Sequence, residues 1–196
     1  QTKFSLPLAN KVPVFGLISR LVEQKGIDLI LDCLPEILTL PLQLVFLGSG
    51  DKEFEQQLSA FAIANPDKMA VKIGYDEGLS HLIEAGADIF LMPSRYEPCG
   101  LNQMYSQLYG TVPLVSKVGG LADTVVDALP ESLSNYTATG IVFDETLSGT
   151  LFEVIKRALM LYSQTKAWKQ IQVNGMLKDF SWRHSAEQYR ALYELL

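Results

Sequence analysis

Only two cysteines, Cys33 and Cys99, and two histidines, His81 and His184, occur in the 196 residues. Thiols so far apart, one of them inside an amphipathic helical pattern, do not make a disulfide framework and fit a reducing cytoplasm. The histidines follow no metal-ligand spacing, so no metal site is expected. Positive charge is in deficit, with 16 Lys and Arg against 22 Asp and Glu and a formal net charge of −6. Without a basic stripe, nucleic acid is not an expected partner, although a local cationic pocket for a phosphate ligand remains open. No apolar run approaches the roughly 20 residues of a membrane span, and no charged-then-apolar secretory signal opens the chain. What is present is an apolar content of 48% with 19% charged residues, the balance of a folded protein. The length suits one domain, residues 1–196, with its own core.

The pattern alternates strand and helix. Apolar strand-like runs fall at 12–19, 42–47, 69–73, 87–92, 111–115 and 140–143. Between them lie segments with helical spacing, such as Leu29, Ile30, Cys33, Leu34, Ile37 and Leu38. Gly48 to Asp51 reads as a turn capping a helix over 52–64. Residues 129–139 read as an irregular loop, and three helices follow, over about 147–163, 166–178 and 184–196. In the last, Tyr189, Leu192, Tyr193 and Leu196 form an apolar stripe. Strict alternation predicts an α/β fold, a Rossmann-like parallel sheet of about six strands with helices on both faces. Residues 1–11 lack a clear period, and the chain is expected to begin part-way through a larger protein.

Polar groups gather at the strand-to-helix turns, which such a topology puts on one edge of the sheet, where ligands bind. Arg20 and Lys25 supply two positive charges suited to a diphosphate. Tyr75 offers an aromatic face to a base. Glu97 stands in the loop after the fourth strand, followed by Pro98, Cys99, Gly100 and Leu101 at a helix start whose amides lack intrahelical partners. Asn102 and Gln103 border the same loop. Each piece has a plainer reading. Loop cations are usually solvated, Tyr75 suits a half-buried packing role, Glu97 suits a helix dipole, and Gly119-Gly120 suits a tight turn with positive φ. There is no Walker loop and no G-x-G-x-x-G fingerprint.

Seven segments in order carry a resemblance: Gly16 to Gly26, Leu47 to Asp51, Ile73-Gly74-Tyr75, Pro93 to Tyr105, Tyr109 to Pro113, Gly119 to Val125, and Asp179 to Trp182. Through them the chain closely resembles the C-terminal domain of bacterial glycogen synthases and plant starch synthases. The resemblance implies the C-terminal half of a GT-B glycosyltransferase. Such an enzyme adds glucose from ADP-glucose to the non-reducing end of an α-1,4-glucan, with retention, no metal and no cofactor. It implies that Arg20 and Lys25 hold the donor diphosphate and that Tyr75 lies by the adenine. It places Glu97 at the glucose as the catalytic residue, and the amides from Cys99 to Leu101, with Asn102 and Gln103 beside them, at sugar hydroxyls and phosphate. The expected partners are ADP-glucose or ADP, a glucan acceptor, and an N-terminal domain that is missing here; the location is cytoplasmic, or plastid in a plant. The final helix is expected to pack toward that domain. A second Glu, common in the wider superfamily eight residues after the first, is replaced by Tyr105, which supports the bacterial branch over animal-type synthases. The alternatives are a GT-B transferase using another nucleotide sugar, such as a sucrose- or trehalose-type synthase, and a non-catalytic nucleotide-binding or glucan-tethering module.

Overall fold

The structure, a computed structural model, describes residues 1–144 and 148–194. Its elements run β1 (Val14–Leu21), a 3₁₀ turn (Glu23–Lys25), α1 (Ile27–Ile37), β2 (Gln43–Gly50), α2 (Lys52–Ala64), β3 (Met69–Ile73), α3 (Glu77–Gly86) and β4 (Ile89–Met92). They continue with α4 (Asn102–Tyr109), β5 (Val112–Ser116), α5 (Gly119–Thr124), α6 (Pro130–Ser134), β6 (Ile141–Phe143), α7 (Ser148–Ser163), α8 (Thr165–Met176) and α9 (Trp182–Tyr193). The six strands form one sheet in the order β3-β2-β1-β4-β5-β6, and every pairing is parallel. The expected α/β architecture is therefore the observed one.

Strand geometry explains the continuous apolar runs. Successive side chains point to opposite faces, and both faces are covered. Phe15 and Leu17 of β1, with Leu44 and Phe46 of β2, meet Ile30 and Leu34 of α1 and Ile155 of α7 on one face. Val14, Val45 and Leu47 meet Leu79 and Ile83 of α3 on the other. Each fully buried Leu, Ile or Phe contributes about 1.5–3 kcal/mol.

The topology reverses once. From β1 the chain builds outward to β3, then returns to lay β4 on the other flank of β1. The connections leaving β1 and β4 diverge, which opens a crevice beyond their carboxyl ends. That crevice is where Arg20, Lys25, Glu97, Gly100, Leu101 and Asn102 collect.

Three local expectations change. Arg20 lies within β1 rather than in a loop, because parallel pairing with β2 continues through Arg20↔Ser49 and Leu21↔Gly50. For the same reason Gly48 to Gly50 are strand, and Asp51 makes no side-chain cap on α2. Glu55 reaches back instead and accepts from the Gly50 amide at 2.9 Å. Finally, 129–139 contains α6, with Pro130 at its first turn, where its fixed φ and missing N–H suit a helix start. Leu196, the last residue of the expected stripe, lies outside the described residues.

Candidate functional site

Between β1 and β4 a cleft of about 270 Å³ is lined by Ser19, Arg20, Lys25, Ser94, Glu97 and Asn102, among others. Lys25, on the 3₁₀ turn, forms an ion pair with Glu97 from the β4–α4 loop. The two side chains are 18% and 11% exposed, so this is a largely shielded pair at the cleft floor. Ser94 Oγ donates to the same Glu97 oxygen at 3.4 Å. Arg20 stands above them, exposed, with Nη2 donating to Gln24 Oε1 at 3.1 Å.

The loop bearing Glu97 is tied to the turn bearing Lys25 by further bonds. Gln24 Nε2 donates to the Tyr96 carbonyl at 3.2 Å, and the Arg95 amide donates to the Gln24 carbonyl at 2.9 Å. The Arg95 guanidinium pairs with Asp28 of α1, whose hydrogen bond raises the Arg95 pKa above its ordinary value. These contacts bring residues from two distant segments to a common wall, and they preset the geometry before any ligand arrives.

The far side of the loop is fixed by α5. The Gly120 amide donates to the Glu97 carbonyl at 3.1 Å. A Cβ at Gly120 would lie 2.0 Å from the Cys99 oxygen, and one at Gly119, whose φ is +43°, would lie 2.2 Å from the Glu97 oxygen. Gly119 thus has the expected positive φ, and the pair also admits a backbone-to-backbone approach that no side chain would permit.

The remaining expected residues divide by what they touch. Asn102 lines the cleft, but its Nδ2 donates to the Ile18 carbonyl at 3.1 Å, pinning the start of α4 to the end of β1. Gln103 is fully buried, and its Nε2 lies 3.1 Å from the Cys99 carbonyl, 3.2 Å from that of Gly100 and 3.1 Å from Thr124 Oγ1. Gln103 therefore holds the loop rather than facing the cleft. Cys99 is exposed and its thiol lies 3.4 Å from the Gly100 carbonyl; Gly100 and Leu101 reach the cleft wall and Cys99 does not. Among the described residues the amides of Gly100, Leu101 and Asn102 donate to no carbonyl, which leaves them available at a helix start. Tyr75 is 86% exposed and lines an adjoining groove of about 510 Å³ that runs between α3 and α4. Ser94, Gln24 and the Arg95–Asp28 pair escaped the sequence reading, because their partners lie on other elements and leave no local pattern.

A doubly wound parallel sheet with cations, free amides and a carboxylate gathered at its switch point defines an α/β domain of the Rossmann class. The family model for glycosyl transferases group 1 matches residues 1–172, and the chain belongs to that family. It is 59% identical to glycogen synthase 1 of Methylococcus capsulatus over 97% of its own length and 39% of that protein. It is 57% identical to glycogen synthase of Nitrosomonas eutropha over 100% of its length and 39% of that protein. The chain thus spans about two fifths of the curated relatives it matches. Among solved structures it resembles the catalytic domain of starch synthase IV from Arabidopsis thaliana bound to ADP and acarbose, with a TM-score of 0.88 and 33% identity over 98% of this chain and 40% of that one. Sucrose-phosphate synthase from Thermosynechococcus elongatus, 22% identical with a TM-score of 0.68 over 98% of this chain and 50% of that one, shares the fold.

Proposed function

We propose that this chain is the donor-binding domain of a two-domain GT-B enzyme that transfers glucose from ADP-glucose to the non-reducing end of an α-1,4-glucan, with retention and without a metal. The observation that carries the reading is the gathering of Arg20, Lys25 and the free amides of Gly100 to Asn102 around Glu97 in one switch-point cleft. The similarity to proteins named glycogen synthase, and to a starch synthase described with ADP and acarbose, supports that donor and that acceptor.

In this reading the bond between the glucosyl carbon and the diphosphate oxygen breaks, the same carbon bonds to the oxygen of an acceptor hydroxyl, and that hydroxyl's proton passes to the departing diphosphate. Negative charge grows on the departing ADP. Arg20 and the amides meet it with donors already in place, which is where preorganised groups lower a barrier most, and Lys25 joins them. The diphosphate competes with Glu97 for Lys25. As Lys25 turns to phosphate, the Glu97 carboxylate is released toward the positive character of the glucosyl carbon. The acceptor belongs to the other side of the cleft, on a second domain. Helix α9, with Trp182, Tyr189, Leu192 and Tyr193 all more than half exposed, faces that domain. The enzyme works in the cytoplasm of a bacterium, or in the plastid of a plant.

Donor competition in the full-length protein tests the reading. ADP-glucose is expected to support glucan extension well ahead of UDP-glucose or GDP-mannose. A preference for another nucleotide sugar would move the protein to a different GT-B transferase, in line with the fold it shares with sucrose-phosphate synthase.

A further inference from the structure

Glu84 on α3 is a carboxylate that the reading above leaves unused. The residue is 3% exposed, yet it lines the groove that Tyr75, Ser80, His81, Asn102 and Tyr105 also line. Among the described residues no hydrogen bond reaches its carboxylate. Its ion-pair contact is His81 Nδ1 at 3.6 Å. Burial pushes the Glu84 pKa up, and His81 pulls against that shift. Its backbone carbonyl accepts from Thr111 Oγ1.

Three other polar side chains of the groove are committed to the protein itself. Asp76 Oδ1 caps α3 through the Leu79 amide at 2.9 Å. Ser80 Oγ donates to the Glu77 carbonyl at 2.7 Å. Asn102 holds Ile18. A buried carboxylate left without donors is costly to keep, and here it faces open groove rather than protein.

We propose that Glu84 reads the nucleoside of the donor, accepting hydrogen bonds from its N–H or O–H groups. This rests on the donor-binding reading of the chain. Tyr75 presents a flat, open face at the sheet edge, and Glu84 stands about two helical turns further along α3. A base laid on Tyr75 with its ribose beside Tyr105 brings donors toward that depth. Two nucleoside groups have the right chemistry, the exocyclic amine of adenine and the ribose hydroxyls. A base edge carrying a carbonyl in place of the amine sets acceptor against acceptor and is disfavoured.

The test is calorimetric titration of the full-length protein and its Glu84→Gln variant with ADP, IDP and 2′-deoxy-ADP. Wild type is expected to bind ADP about tenfold or more tighter than whichever analogue lacks the group being read. In Glu84→Gln that ratio is expected to fall toward unity. Collapse of the ADP/IDP ratio assigns the amine; collapse of the ADP/2′-deoxy-ADP ratio assigns the ribose. Glu84→Asp, which withdraws the carboxylate by one methylene, is expected to move the same ratio and carries the test if the glutamine variant does not fold. Unchanged ratios in a folded variant that still binds ADP overturn the role of Glu84 alone. Wild-type protein that binds no nucleoside diphosphate overturns the donor-binding reading and this one with it.

Discussion

Lys25 and Glu97, 72 positions apart in the chain, form an ion pair at the floor of the crevice between β1 and β4. The pair joins the residue expected to hold the diphosphate to the residue expected at the sugar. It also makes Lys25 a shielded group, whereas Arg20 is an exposed one.

The two cations are therefore expected to behave differently when removed. In the full-length protein, Arg20→Ala and Lys25→Ala should each weaken ADP binding by about 1.5–3 kcal/mol, the range for hydrogen bonds to charged groups. Arg20→Ala should leave stability within about 0.5 kcal/mol, as exposed substitutions do. Lys25→Ala strands Glu97 and should cost about 1–3 kcal/mol. Much of that loss should return in Lys25→Ala/Glu97→Gln, because the stranded charge is gone. Calorimetry and denaturant midpoints decide it; equal ADP affinity in both single variants and the parent would sink the diphosphate assignment.

Glu97→Gln keeps shape and removes charge. If the carboxylate acts on the positive glucosyl carbon, kcat of the full-length protein should fall by about 10² or more while donor affinity changes little. A change confined to KM would make Glu97 a binding residue only.

Gly120→Ala places a methyl 2.0 Å from the Cys99 oxygen. Neither backbone has a flexible end with which to yield. Loss of about 1–3 kcal/mol is expected from overpacking, together with loss of ADP binding, since the displaced loop carries Glu97 and the free amides. Normal stability with normal ADP binding would show that the loop tolerates a wider spacing.

At the opposite edge of the sheet, the carboxylate of Asp88 accepts from the Val14 amide at 2.8 Å and from the Tyr162 hydroxyl, and burial raises its pKa. The folded protein thus binds this proton more tightly than the unfolded chain does. The stabilisation is complete below the unfolded value near pH 4 and is lost as pH rises through the higher folded value. Asp88→Asn abolishes the titration, so its urea midpoint should fall less than the parent's as pH rises above about 4. Parallel curves for parent and variant would rule the linkage out.

The 196-residue chain is expected to fold on its own, because six strands and their covering helices bury a self-contained core. It should bind ADP with a Kd on the order of 0.1–1 mM, which needs only about 4–5.5 kcal/mol. It should not extend glycogen, since a half-cleft leaves the donor wet and weakens the electrostatic terms needed at the transition state. Incorporation of labelled glucose near the full-length rate would show that one domain suffices.

Much of this was legible from sequence. Short continuous apolar runs located the six strands found among the described residues, and strict alternation with helical segments predicted parallel pairing with helices on both faces. Turn chemistry marked Arg20, Lys25, Tyr75 and Glu97 as groups on one edge, because each follows a strand closely. Local pattern could not decide where β1 and β2 end, since their last turn-like residues are held as strand by each other's hydrogen bonds. Nor could it sort the polar residues after Glu97. Only tertiary packing turns Gln103 inward to hold the Cys99–Gly100 loop, leaves the amides beside it free, sets Lys25 on Glu97, and strands Glu84 in a groove. Secondary structure follows from side chains a few positions apart, whereas partners such as Lys25 and Glu97 meet only once the sheet order has placed β1 beside β4.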